Sequence, residues 1–103
     1  MTDSLQHYRN GAVVRLRLDR PGLHNAFDAD LIASLTAALV AIGSDRTVRV
    51  VVLEGAGPSF SAGADLTEAM QVKSARDGVK YMKNWQVIND TMETLGKPVI
   101  AAI

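Results

Sequence analysis

Val48-Arg49-Val50-Val51-Val52-Leu53 is an apolar, largely β-branched run that passes directly into a segment of small residues, Glu54 to Leu66 (EGAGPSFSAGADL). Only Arg49 interrupts the run, and such a run is typical of a strand covered on both faces, as in α/β packing. The small residues predict a loop at the end of this strand. Together the two features favour an α/β fold.

The loop leaves its backbone open to a ligand. Gly63 can adopt backbone angles that other residues resist, and the methyl groups of Ala62 and Ala64 leave their N–H groups accessible. Fixed peptide N–H groups can bind an oxygen atom of a ligand without any proton transfer. A flexible connection between two elements is the alternative interpretation of the same composition.

A β-hairpin and a helix are predicted before this strand. Asn10-Gly11 favours a tight turn between strands 5–9 and 12–19, because both residues tolerate positive φ. Apolar residues alternate along the second arm, which indicates a half-buried strand. Asp28 is the predicted N-cap of a helix that ends at residues 43–45. Helical spacing predicts that this helix buries Leu31, Ile32, Leu35, Ala38, Leu39 and Ile42.

A second helix, from about Ser74 to Leu95, and a final buried strand that starts at 99–103 are predicted after the loop. The order β-β-α-β-α-β indicates an α/β domain or part of one. A buried strand needs neighbours, so we expect the sequence to be the front part of a longer domain. The apolar stripe of the second helix fits core packing better than cofactor contact, and its residues are Tyr81, Trp85, Ile88, Met92 and Leu95.

Composition disfavours several classes of function. The 103 residues carry 11 Lys+Arg and 11 Asp+Glu, so nothing favours a general binder of nucleic acid or of an anionic membrane. There is no Cys, and His7 and His24 are predicted to lie apart, so we predict neither a metal site nor a Ser-His-Asp triad. No apolar run approaches the roughly 20 residues of a membrane span. With no signal-peptide pattern at the N-terminus, a cytoplasmic protein is the default expectation.

Two further signals have plainer interpretations. Gly55-Ala56-Gly57 begins like a dinucleotide-binding fingerprint, but the third glycine is missing and Pro58 disrupts the expected helix start. The acidic residues near the loop and the first helix are interpreted as caps or surface charges rather than general bases: Asp28, Asp30, Glu54, Asp65 and Glu68.

Four segments match one pattern in the same order: 18–27 (LDRPGLHNAF), 48–55 (VRVVVLEG), 60–66 (FSAGADL) and 97–103 (KPVIAAI). They resemble the enoyl-CoA hydratase/isomerase, or crotonase, family, and the third is similar to its F-x-A-G-A-D-L loop. The resemblance implies a truncated crotonase-like spiral of β-β-α units, with residues 1–103 as the N-terminal portion of a single domain. It further implies an acyl-CoA thioester as substrate, no cofactor beyond that coenzyme A, and a homo-oligomer (a trimer or a dimer of trimers).

The resemblance also implies site residues. The Ala64 N–H would be one of two donors in an oxyanion hole that stabilises a thioester enolate. The second donor and the acid/base glutamates of hydratases would lie beyond Ile103. The residues that bind the substrate would be Leu23, Ala26, Ala62, Asp65 and Leu66.

Two positions depart from the family pattern. Residues 22–24 stand where members often carry a basic residue, and Thr67 stands where they often carry Lys. Both changes could weaken contact with the CoA phosphates. A second hypothesis is that the chain is a truncated, non-catalytic homologue that acts as a binding or interaction module. Turnover of crotonyl-CoA would distinguish the two hypotheses.

Overall fold

The computed structural model describes residues 4–103. The elements are β1 (Leu5–Asn10), β2 (Val13–Leu18), a 3-10 turn (Pro21–Leu23), α1 (Ala29–Gly43), β3 (Val50–Gly55), α2 (Leu66–Ala69), α3 (Ala75–Glu93) and β4 (Val99–Ala102). The strands form one sheet in chain order: β1 pairs antiparallel with β2, and β2, β3 and β4 run parallel. The predicted order of long elements is confirmed, and the short helix α2 is added to it.

The turn between β1 and β2 lies one residue further along the chain than predicted. Asn10 pairs with Val13, so Gly11 and Ala12 form the connection. Gly11 has a φ of +61°, whereas Asn10 stays in the ladder without positive φ. This turn needs positive φ only at its first central position, which Gly11 occupies. Asn10 therefore does not need to adopt positive φ.

The hydrophobic core lies between α1 and one face of the sheet. All six side chains predicted for the buried face of α1 are buried, and Leu31 is fully so. Burial of each leucine contributes roughly 1.5–3 kcal/mol, so this face fixes α1 against the sheet. Helix α3 packs beside α1 and contributes Ile88, while the ring of Trp85 meets that of Phe27 edge-on at 5.6 Å between centroids.

The other face of the sheet is more open than predicted. Val50 and Val52 of β3 are partly exposed, and Ile100 of β4 is 54% exposed. The expectations of a β3 strand covered on both faces and of a buried β4 are therefore wrong for residues 4–103. For β4, the physical reason is that it is the edge strand here, with β3 as its hydrogen-bonded neighbour. For β3, the reason is that α1 packs on the face of Val51 and Leu53, whereas Val52 on the other face lies between Arg15 and Ile100.

Polar side chains occupy part of this open face. Glu54 accepts hydrogen bonds from Arg17 (2.6 Å) and Arg15 (3.0 Å), and both guanidinium groups lie 4.8 Å from the ring centre of Tyr8. The hydrogen bond from Arg17 is the main cause that holds the pKa of Glu54 below its usual value. Glu54 is thus a paired surface charge, as predicted.

Side chains secure the ends of the helices. Asp28 accepts the N–H of Leu31 at 2.8 Å, which confirms the predicted N-cap of α1. At the other end of α1, the Lys97 ammonium donates to the carbonyls of Ile42 and Asp45, where a positive charge is favourable. Within residues 4–103 no helix is long and apolar enough to cross a membrane.

Candidate functional site

The small-residue loop returns beside the turn that precedes α1. A parallel bridge joins Phe27 to Ala64: the Phe27 N–H donates to Gly63 O at 2.7 Å, and the Asp65 N–H donates to Phe27 O at 2.9 Å. In this pattern both backbone groups of Phe27 are used, whereas the N–H and C=O of Ala64 point away from the bridge. The bridge therefore fixes the direction of the Ala64 N–H.

The Ala64 N–H stands apart from its neighbours in its hydrogen bonding. The N–H groups on either side are taken up: Ala62 donates to His24 O (2.8 Å), Gly63 to Ser61 Oγ (3.0 Å) and Asp65 to Phe27 O (2.9 Å). Among residues 4–103 nothing accepts a hydrogen bond from the Ala64 N–H. A fixed and unpaired donor of this kind can serve a ligand oxygen without reorganisation.

The residues predicted for the site lie together. A pocket of about 320 Å³ is lined by Leu23, Ala26, Ala62, Ala64, Asp65 and Leu66, with Thr67 as a seventh residue. Its volume is within the range of small-molecule sites. The loop offers mostly methyl groups and backbone, and the side chains of Leu23 and Leu66 are 55% and 75% exposed. The pocket thus combines apolar side chains with a free backbone donor.

Asn25 holds the loop against the turn. It is fully buried, and its Oδ1 accepts the N–H of Arg20 at 2.8 Å. Its Nδ2 donates to the carbonyls of Ala56 (2.9 Å) and Ser59 (2.8 Å). One side-chain amide thereby joins the start of the turn to two points of the loop, a role that needs an acceptor and two donors. From the sequence, Asn25 is predicted only as part of the motif at 18–27. The residue type itself could have indicated the turn, because Asn tolerates left-handed backbone angles and Asn25 has a φ of +55°.

Two glycines allow the loop to reverse, for different reasons. A Cβ on Gly55 would lie 2.4 Å from the carbonyl oxygen of Phe60 and 2.5 Å from that of Ser59, so no side chain fits there. Gly63 has open space around it but a φ of +95°, which L-residues rarely adopt. Gly55 is needed for close approach, and Gly63 for the conformation that precedes Ala64.

Arg20 connects the turn to the loop by its side chain. It donates from Nη1 to Ala26 O (2.5 Å) and from Nη2 to Asp65 Oδ2 (3.3 Å), and Nη2 lies 3.4 Å from Asp28 Oδ2. Asp65 also accepts the N–H of Thr67 (2.8 Å) and so caps α2. Burial acts to raise the pKa of Asp65, but the Arg20 hydrogen bond and the α2 N–H groups hold it below its usual value.

The acidic residues of the site have structural partners. Asp65 caps α2, and the Glu68 carboxylate accepts the N–H of Ala29 at 2.9 and 3.0 Å. Their interpretation as caps is confirmed. His24 Nδ1 lies 3.3 Å from Ser59 Oγ, a contact that the sequence did not predict. No carboxylate of the described chain hydrogen-bonds to His24, so this pair does not form a triad.

Comparison with known proteins decides the family. The profile of the enoyl-CoA hydratase/isomerase family matches residues 8–103. The chain belongs to this family. A mitochondrial enoyl-CoA hydratase of Pongo abelii is 38% identical over 97 residues, which cover 92% of this chain and 32% of that protein. The carboxymethylproline synthase of Pectobacterium carotovorum is 36% identical over 89 residues, which cover 85% of this chain and 36% of that protein.

The fold of this enoyl-CoA hydratase/isomerase family member agrees with solved structures. The crystal structure of an enoyl-CoA hydratase from Mycobacterium smegmatis matches with a TM-score of 0.91 and 33% identity over 97% of this chain and 39% of that one. The predicted α/β, crotonase-like fold is therefore confirmed. The chain spans about a third of the length of the curated relatives it matches, 33% and 32% in two hydratases.

Proposed function

We propose that this chain is the N-terminal portion of an acyl-CoA-processing enzyme of the enoyl-CoA hydratase/isomerase type. Ala64 would supply one of two backbone donors to the thioester oxygen. The observation that carries the proposal is the Ala64 N–H, which is unpaired among residues 4–103 while those of Ala62, Gly63 and Asp65 are engaged. As a thioester becomes an enolate its oxygen gains negative charge, and a preorganised donor stabilises that charge.

The pocket suits the ligand that this chemistry needs. An acyl-CoA would place its thioester at Ala64 and run along the surface offered by Leu23, Ala26 and Leu66. The Ala62 N–H is already bonded to His24, so Ala62 would present its carbonyl or its methyl group to the ligand. Coenzyme A would enter as part of the substrate, with no separate cofactor, and the complete protein would assemble as a homo-oligomer in the cytoplasm.

The proposal assigns the shared step and leaves the individual reaction open. Proteins named as hydratases and as a carboxymethylproline synthase match over the same region, so this region goes with more than one reaction. Polarisation of the thioester carbonyl is the step to which Ala64 would contribute. The acid and base that distinguish the reactions would come from other residues.

A second candidate function is a binding module without catalysis. Its supporting observation is that the two carboxylates beside the loop are committed: Asp65 to Arg20 and the start of α2, and Glu68 to Ala29. A paired, hydrogen-bonded carboxylate is a poor general base. Turnover of crotonyl-CoA by the 103-residue chain would exclude this candidate. Binding without turnover fits both candidates, because the acid and base that the first one needs would come from other residues.

The proposed donor is tested by one substitution that removes the N–H and one that keeps it. Ala64→Pro removes the N–H, and Ala64→Gly keeps it as the matched control. Two ligands probe the carbonyl: butyryl-CoA has the thioester oxygen, and its thioether analogue S-butyl-CoA does not. We expect the wild-type chain and Ala64→Gly to prefer butyryl-CoA by up to about tenfold, since one hydrogen bond contributes roughly 0.5–1.5 kcal/mol. Ala64→Pro should show no preference. If the wild type, Ala64→Gly and Ala64→Pro all preferred butyryl-CoA over S-butyl-CoA to the same extent, the role of this N–H would be contradicted.

A further inference from the structure

Arg20 lies behind the site and does not line its pocket. Its side chain is 15% exposed, and its two terminal nitrogens donate to Ala26 O and Asp65 Oδ2. Ala26 precedes Phe27 and Asp65 follows Ala64 along the chain. The guanidinium therefore spans the same two segments that the Phe27–Ala64 bridge joins, immediately beside that bridge.

We propose that Arg20 is a positioning residue for the Ala64 N–H, holding the two segments of the bridge at a fixed separation through Ala26 O and the Asp65 carboxylate. The inference rests on the proposed function, because it matters only if Ala64 meets a thioester oxygen. It concerns the direction of the donor rather than the stability of the fold as a whole.

The backbone of Arg20 is itself anchored, so its side chain starts from a fixed point. The Arg20 N–H donates to Asn25 Oδ1, and the Arg20 carbonyl accepts the N–H groups of Leu23 and Asn25, each at 2.9 Å. The Asp65 carboxylate is fixed in the same way, since its Oδ1 accepts the Thr67 N–H. A planar, rigid guanidinium that donates to two fixed acceptors holds them at a defined separation. Lysine offers a single ammonium and could not match both acceptors in this geometry.

Asp28 supplies the competing explanation. Its Oδ2 is 3.4 Å from Arg20 Nη2. In the competing explanation, Arg20 stabilises the start of α1 and has no effect on the direction of the Ala64 N–H. Asp28→Asn and Asp65→Asn separate the two possibilities. Both variants lose a charge beside Arg20, and both retain a side-chain oxygen that can cap a helix. Only the Asp65 change alters the segment that contains Ala64.

The test uses the ratio of the dissociation constants for S-butyl-CoA and butyryl-CoA, measured by calorimetry on the full chain. A purely structural role would weaken both ligands equally and leave the ratio unchanged. We expect the wild-type ratio, up to about ten, to fall towards one in Arg20→Met and Asp65→Asn. Arg20→Lys should give an intermediate value. Asp28→Asn should keep the wild-type ratio within twofold.

The outcomes separate this inference from the proposed function. If the wild-type chain binds neither ligand, the proposed function fails and the inference fails with it. If the wild-type chain discriminates and both Arg20→Met and Asp65→Asn discriminate equally well, the inference is overturned while the function stands. If Asp28→Asn loses the preference as fully as Asp65→Asn does, a route through α1 replaces the one proposed. Should Arg20→Met fail to fold, Asp65→Asn and Arg20→Lys decide the question.

Discussion

Replacement of Asn25 by alanine is expected to release the loop from the turn. The Asn25 amide makes three hydrogen bonds, with the Arg20 N–H and with the carbonyls of Ala56 and Ser59, at 2.8–2.9 Å. Because Asn25 is fully buried, water does not replace these bonds freely in the variant. The three bonds contribute roughly 1.5–4.5 kcal/mol in total.

Backbone conformation adds to this loss. Asn25 has a φ of +55°, in the left-handed region that alanine disfavours by about 1–2 kcal/mol. We therefore expect Asn25→Ala to lower the free energy of unfolding by about 3–6 kcal/mol. In a domain of this size that corresponds to a fall in Tm of at least roughly 12 °C.

Urea unfolding followed by circular dichroism measures this change. It should be done at one protein concentration, because association shifts apparent stability. Asn25→Gly is the matched control: it loses the same bonds but tolerates the left-handed angles, so it should recover about 1 kcal/mol. A loss of less than 1 kcal/mol in Asn25→Ala would refute the assignment of Asn25 as the residue that joins the loop to the turn.

Three further changes test other parts of the structure. Gly55→Ala should lower the free energy of unfolding by about 1–3 kcal/mol in thermal unfolding and weaken butyryl-CoA binding, because its methyl group meets two carbonyl oxygens. In the control Gly22→Ala the new methyl group meets nothing within 4 Å, so the free energy of unfolding should change by no more than about 0.5 kcal/mol. The pKa values of Glu54 and Asp65 are lowered in the folded state, so their stabilisation is present above the unfolded pKa and is lost as pH falls through the folded one. The urea concentration at the unfolding midpoint should therefore decrease when the pH is lowered below about 4. This decrease should be less steep in Glu54→Gln. If the variant shows the same pH dependence as the wild type, the pairing of Glu54 with Arg17 is excluded as a cause of the acid sensitivity. Exposed apolar side chains on α3, with Met82 at 61%, should drive concentration-dependent association in light scattering, which Met82→Lys should reduce; a monomer at all concentrations would contradict this.

Much of the framework follows from local sequence. Six apolar residues at helical spacing between the N-cap Asp28 and Gly43 define α1, and all six are buried. Period-2 alternation likewise places Leu16 and Leu18 in the core. In both cases the signal lies within one element and one face is buried, so periodicity decides the outcome.

The links that build the site are not visible in any single segment. Asn25 bonds to residues 31 and 34 positions further along, and Arg20 meets a carboxylate 45 positions away. Such contacts depend on the tertiary fold, which brings the turn and the loop together. The coverage of β3 was also mispredicted, because an apolar run does not show how many layers of the described chain pack against it.

The most direct test of the account is the amide resonance of Ala64. The ¹⁵N-labelled chain is titrated with butyryl-CoA and, separately, with S-butyl-CoA, and two-dimensional NMR spectra follow the backbone amides. We expect the Ala64 amide proton resonance to move downfield with butyryl-CoA and to stay near its ligand-free chemical shift with the thioether. The amides of Ala62 and Asp65 are already hydrogen-bonded within the protein, so they should respond alike to both ligands. Equal responses of Ala64 to the two ligands, or no response to either, would contradict the claim that its N–H receives a thioester oxygen.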